Sequence, residues 1–385
     1  AMHQSDELIE AAKLLRKEMG LLGVEELETS SIYIVSKKSD ETECWFSIQD
    51  RNDVQKLVSD HMIINLGDTW VGRQMKSFYR SRKLKTSIVM KGANRIEWIK
   101  YCADKSEFFS AKGFYGKTIP PRIYHLYKFS NGFMGAAAPG DISAESWDLL
   151  RRATGVFAMA YTRFSDIKKA EAQAREAEIE LALERVRART MAMHRTSELQ
   201  EVIHTVHNEL LNLNISVHGG SFVVINEDVG PELRCWGSGG TADTSEEVLV
   251  PHFNMPFCTN LIKRIKKGPG FFTEEFSTKA KKEYFTRLFK QKPWSDLSAK
   301  QKKQTLSDPG GYTRSVAVLK HTSIFIINHS GRKFTEAEND ILKRFAKVFE
   351  QTYTRFLDLQ KAEAQAREAK IEAGLERVRA RTMAM

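Results

Sequence analysis

Leu199, Val202, Ile203, Val206, Leu210 and Leu213 recur at three- and four-residue steps, the spacing that gathers apolar side chains on one face of a helix. Gly219-Gly220 ends that pattern, and the β-branched and aromatic run Ser221 to Ile225 reads as a strand. Asn226 to Pro231 is a cluster of turn residues, so Leu233 to Trp236 is the returning strand. Glu247 to Pro251 forms another short strand, and Cys258, Leu261, Ile262 and Ile265 mark a helix that stops at Gly268-Pro269-Gly270. A strand starting at Phe271-Phe272 and a lysine-rich amphipathic helix from Lys279 to Phe289 follow, then a polar stretch, Lys300 to Gly311, that reads as a loop. Ser315 to Leu319 and Ser323 to Asn328, joined by Lys320-His321-Thr322, predict an antiparallel hairpin. Thr335 and Glu338 form a capping box, opening a helix through Ile341, Leu342, Phe345, Val348, Phe349 and Phe356.

The same order recurs upstream. Ser31 to Val35 and Glu43 to Phe46 predict the first strand pair, Arg122 to Lys128 and Gly132 to Ala137 the hairpin, and Ser143 the final N-cap. An antiparallel sheet with helices to one side is an α+β arrangement. The duplication is visible in the letters. Tyr161 to Phe164 recurs as Tyr353 to Phe356, Lys169 to Ala177 as Lys361 to Ala369, and Glu184 to Met193 as Glu376 to Met385, each a step of 192 positions. Met2-His3 and Glu7-Leu8 likewise match Met193-His194 and Glu198-Leu199, and Cys44-Trp45 matches Cys235-Trp236. A repeat of this length implies two copies of one domain. The expected layout is a domain at 1–164, a helical linker at 165–194, a domain at 195–356 and a second linker helix at 357–385. The first linker leads into another domain, so an output domain is expected beyond the second.

Between Phe164 and Leu213 there is neither Gly nor Pro, and Ala, Glu, Arg and Leu dominate. These strong helix formers predict one helix of about 50 residues, roughly 75 Å long. A helix that long needs a partner surface. Ile179, Leu183 and Val186 recur as Ile371, Leu375 and Val378 at a/d-like spacing, and Thr190 and Met193 continue the seam. A parallel homodimer joined along these helices is the favoured expectation; a helix lying on its own domain is the alternative.

Composition narrows the function. The 385 residues are 42% hydrophobic and 28% charged, ordinary for a soluble globular protein. No apolar run approaches the roughly 20 residues of a bilayer crossing, and the N-terminus lacks the pattern of a signal peptide, so no membrane partner and a cytoplasmic location are expected. Cys44, Cys102, Cys235 and Cys258 form no CxxC pair and read as reduced core thiols. The net charge of +10 raises nucleic acid as a partner. Its sources are scattered clusters such as Lys263, Arg264, Lys266 and Lys267, outside any nucleic-acid-binding motif, so a solvated surface is the better reading.

The closing residues of the second copy, Gly331-Arg332-Lys333-Phe334-Thr335-Glu336-Ala337-Glu338 with Ile341-Leu342 and Phe345, resemble the closing signature of GAF domains. Pro139 to Leu150 is a weaker version. The linker Lys169 to Met193 resembles the helical connectors of multidomain bacterial sensor proteins, often sensor histidine kinases of two-component systems. PAS is the nearest rival fold; the helix before the first strand favours GAF. The resemblance implies a small-molecule pocket beneath the segment between the middle strands and the hairpin. Its candidate residues are Phe253, Phe257, Cys258, Phe272, Tyr284, Trp294 and Tyr312 in the second copy, and Trp70, Phe78, Trp98, Tyr101 and Tyr124 in the first. For any one of these residues, ordinary core packing is the competing and favoured reading.

Catalytic readings are weaker. His194 is followed by Arg195-Thr196 rather than the acidic residue and proline of a phosphoacceptor box, and no nucleotide-binding pattern follows. The motif of cyclic-nucleotide GAF domains is absent, and Thr259 stands after Cys258 where a bilin-binding site would carry histidine. No cofactor, metal cluster or catalytic set is identified. The expectation is a non-enzymatic sensor binding an unknown small molecule or partner. The alternatives are a ligand-free dimerisation spacer and a basic nucleic-acid-binding protein.

Overall fold

The computed structural model describes residues 10, 12–14, 17–18, 29–36, 41–49, 57–106, 119–193, 195, 198–230, 232–239, 248–307 and 309–383. His3, His194 and Glu247 lie outside them. The chain divides into two compact units, Ala1–Ala172 and Gln173–Met385.

The first unit holds β1 (Thr29–Val35), β2 (Glu41–Gln49), β3 (Leu57–Asn65), α1 (Trp70–Arg80), β4 (Lys85–Met90), α2 (Gly92–Lys105), β5 (Arg122–Phe129), β6 (Gly132–Ala138) and the start of α3 (Ala144–Met191). The second holds the last turns of α3, then α4 (Leu199–Asn212), β7 (Gly220–Ile225), β8 (Leu233–Ser238), β9 (Val248–Val250), α5 (Pro256–Lys267), β10 (Gly270–Phe276), α6 (Thr278–Leu288), α7 (Ala299–Ser307), β11 (Tyr312–Val318), β12 (Thr322–Asn328) and α8 (Glu336–Met383). The class is α+β. Each unit carries one six-stranded antiparallel sheet, ordered β3-β2-β1-β6-β5-β4 and β9-β8-β7-β12-β11-β10, so first and last strands pair at the centre of both.

Alternation along the strands explains the layers. In β12, Ile324 and Ile326 face a cluster built from α3, α4 and α8, whereas Phe325 and Ile327 face the opposite cluster with α5 and α6. The two-residue period sends neighbours to opposite faces, and helices therefore cover both faces of the sheet rather than one. The first unit repeats this: Tyr33 and Phe133 join the cluster with α1 and α2, while Ile32, Ile34 and Met134 pack against Leu150 and Phe157 of α3.

Local signals fix the helix starts. The Thr335 hydroxyl accepts from the Glu338 amide at 3.2 Å while the Glu338 carboxylate accepts from the Thr335 amide at 2.8 Å, the reciprocal capping box. Ser143 accepts from the Ser146 amide at 3.1 Å. Gly331, at φ +72°, makes the turn between β12 and α8, and a Cβ there would meet the Gly311 amide nitrogen at 2.7 Å.

Two further expectations are corrected. The polar stretch after Lys300 is helical, α7 spanning Ala299–Ser307. The expected 50-residue helix is interrupted: α3 ends at Met191 and α4 begins at Leu199. Helix propensity favours continuing, but turning back lets Ile179, Leu183, Val186 and Met193 bury against Leu199, Val202, Ile203 and Val206 in one cluster, and burial outweighs propensity differences of a few tenths of a kcal/mol per residue.

Candidate functional site

A small, partly open pocket of about 50 Å³ lies between the sheet of the second unit and its covering helices. α5 contributes Phe257 and Leu261, α6 contributes Tyr284, Phe285 and Leu288, and the sheet contributes Phe222, Leu233, Val250, Tyr312, Arg314, Phe325 and Ile327, with Trp294, Gly219 and His329 completing the wall. Phe257 is the hub: its ring stacks on Tyr284 at 4.0 Å and meets Tyr312 at 4.4 Å and Phe276 at 4.5 Å.

Arg314 and His329 are the basic side chains in this aromatic wall, and Arg314 is the better anchored. Arg314, only 2% exposed, donates Nε to Glu274 at 2.8 Å and Nη2 to the Phe257 carbonyl at 2.8 Å. Its guanidinium also lies 5.3 Å from the Phe257 ring and 5.4 Å from Phe276, within cation–π range. A buried charge persists only when paired, and here a cross-strand carboxylate supplies the partner: Glu274 on β10 registers with Arg314 on β11. Nearby, the ammonium of wholly buried Lys281 donates to the carbonyls of His329 at 2.7 Å and Gly310 at 3.2 Å, tying α6 to the end of β12. Burial pushes the hydroxyls of Tyr284 and Tyr312 well above their ordinary range, so both remain neutral donors. Burial likewise raises the Cys258 thiol.

Of the second-copy candidates, Phe257, Tyr284, Trp294 and Tyr312 line the cavity. Phe253, Cys258 and Phe272 belong to the surrounding core instead; Phe253 meets Tyr284 edge-on at 6.1 Å and Phe272 carries Arg264 over its ring. Arg314 and His329 were not among the candidates. Their signal is strand alternation: Arg314 shares a side with Tyr312 and Val316, and His329 with Ile327 and Phe325.

The first unit carries a smaller, partly open pocket, about 30 Å³, lined by Trp98 and Tyr124 among the candidates, together with Ser31, Tyr33, Arg95 and Cys102. The Tyr124 hydroxyl lies 2.6 Å from both Ser31 Oγ and Tyr33 Oη, and burial raises the hydroxyls of Tyr33 and Tyr124 and the thiol of Cys102. Trp70, Phe78 and Tyr101 sit outside this wall, in or against the core. Phe78 packs edge-on to Phe133 at 6.1 Å. The Tyr101 hydroxyl donates to Asp68 at 2.9 Å and accepts from the Asn65 amide at 2.8 Å; burial, with Asp68 beside it, raises it to about 12.

The linker residues divide by copy. Ile179, Leu183, Val186 and Met193 are at most 6% exposed, inside the apolar cluster of the second unit. Arg344 on α8 grips Glu176 at 2.7 Å and Glu180 at 2.6 Å, Arg185 pairs with Glu209 at 3.1 Å, and Arg189 pairs with Glu201. Within this chain the first linker from Glu176 to Met193 packs inside the second unit, and these four side chains are covered there. Ile371, Leu375 and Val378 are 47%, 55% and 64% exposed.

Among the described residues no group of three His, Cys, Asp or Glu side chains is placed to hold a metal ion, and no helix is long and apolar enough to cross a membrane. No family model and no curated protein matches the chain. Among solved structures, a bacteriophytochrome from the photosynthetic bacterium R. palustris is similar at a TM-score of 0.30 and 9% identity, over 89% of this chain and 70% of that one.

Proposed function

We propose that the chain is a tandem GAF-like sensory module of a cytoplasmic signalling protein, without catalytic activity of its own. The second unit takes a small ligand between the sheet and α5 and α6, and the linker helices carry the resulting shift to an output domain. The cavity walled by Phe257, Tyr284 and Tyr312, with Arg314 at its polar end, carries this reading. Mostly apolar walls with a few convergent polar groups are what binding pockets share, and Arg314 suits a ligand with an acceptor or anionic end. At about 50 Å³ the space holds a few water-sized groups, so a larger ligand enters by moving α5 or α6 outward. The exposed Ile371, Leu375 and Val378 support association of two chains through the second linker helix.

Native mass spectrometry of the purified chain tests both parts. A small molecule carried with the protein, and lost on Arg314→Met, supports the sensory reading; absence of bound mass, with no thermal shift from any small anion or carboxylate, would sink it. The cavity's small size favours a second reading, a ligand-free spacer, in which Leu288→Phe is stabilising or neutral and changes no binding.

A further inference from the structure

Four identical residue pairs differ in burial between the two copies. Ile179, Leu183 and Val186 are 6%, 4% and 0% exposed, but their equivalents Ile371, Leu375 and Val378 are 47%, 55% and 64% exposed. On the receiving side, Val348 of α8 is 6% exposed in the cluster that seats the first linker, and its equivalent Val156 of α3 is 64% exposed. The second unit therefore holds a linker helix on a face that the first unit leaves open, and the second linker displays the matching seam.

The charges repeat as well. The second unit seats its linker through Arg344 with Glu176 and Glu180, Arg185 with Glu209, and Arg189 with Glu201. At equivalent positions the second linker carries Glu368, Glu372, Arg377 and Arg381, and the first unit carries Arg152, Glu18 and Glu10, all exposed. Every ion pair of the observed contact is thus present in two separated halves with its signs preserved. The packing beneath the receiving face is alike too, since Ala12 shares a cluster with Leu150 and Phe157 as Ile203 does with Leu342 and Phe349.

We propose that the second linker helix of one copy docks on the first unit of another, Glu368 and Glu372 meeting Arg152 while Arg377 and Arg381 meet Glu18 and Glu10. The contact is head to tail, so it closes into a ring or propagates as a chain. This specifies the association of chains read above and replaces helix-on-helix pairing as its geometry.

Complementation between two single-sided variants of the full chain tests it. Arg152→Glu spoils the receiving face and keeps the helix; E368R/E372R spoils the helix and keeps the face. All three positions are exposed, and circular dichroism checks that both variants fold. Sedimentation velocity should show the unmodified chain self-associating and each variant alone weakened by about tenfold or more. An equimolar mixture of the two should give a heterodimer and nothing larger, because one intact helix and one intact face remain. A mixture without heterodimer overturns the proposal. A stable dimer indifferent to both changes overturns it while leaving helix-on-helix pairing standing, and a monomeric unmodified chain overturns both.

Discussion

Glu274 and Arg314 face each other across neighbouring strands, joined at 2.8 Å, Arg314 buried in the wall of the second unit's cavity and Glu274 half-buried beside it. An ion pair in such surroundings depends on both members. Arg314→Ala leaves an uncompensated carboxylate and should cost about 3–5 kcal/mol in urea unfolding, whereas the paired replacement R314M/E274L should lie within about 2 kcal/mol of the parent. Equal losses in the two would show that packing, not charge, holds this corner.

All four cysteines are buried, and burial raises the thiols of Cys44, Cys102 and Cys258. Since the thiolate is the reactive form, a disulfide reagent at neutral pH should label none of them quickly in the folded chain and all four in denaturant. A fast-reacting thiol in the native protein would contradict the packing around it.

His125 is fully buried on β5, its Nε2 donating to the Gly140 carbonyl at 3.0 Å and its Nδ1 accepting from Ser87 at 3.0 Å. Burial lowers its affinity for a proton below the ordinary value of 6.5. The unfolded chain therefore binds the proton first, and stability should decline as pH falls from about 6.5 toward the lowered folded value. His125→Asn should remove that part of the decline in pH-dependent melts. An identical slope in the variant would assign the effect elsewhere.

Thr335→Ala removes one half of the capping box and should cost about 1 kcal/mol. The Glu338 carboxyl is held below its ordinary range: burial opposes the shift, but hydrogen bonds from Arg332 and Thr335 outweigh it. Its contribution is present above the unfolded value near 4.5 and lost as pH falls through the lower folded value, so Glu338→Gln should flatten acid melts between those two values and leave the neutral range unchanged.

Features decided within a few residues were readable from the chain alone. The Thr335 box, the Ser323 to Asn328 strand and the α5 helix through Leu261 and Ile265 each carry their own turn or period, and so does the duplication. Features decided at a distance were not. α7 is lysine-rich and among its residues only Thr305 is buried, so it presents no apolar stripe to detect. The break after Met191 depends on a core that exists only once the sheet has formed. At the cavity, aromatic residues drew attention, but Phe253, Phe272, Trp70 and Tyr101 resemble wall residues in type alone. Arg314 was hidden by its charge, which argues against burial until Glu274 is found opposite.

In both sheets the first and last strands lie side by side in the middle, so the segments entering and leaving a unit attach to its two best-anchored strands and not to its rims. A pull or twist on either flanking segment is then delivered to the stiffest part of the unit, and further units could be spliced in series without opening any sheet.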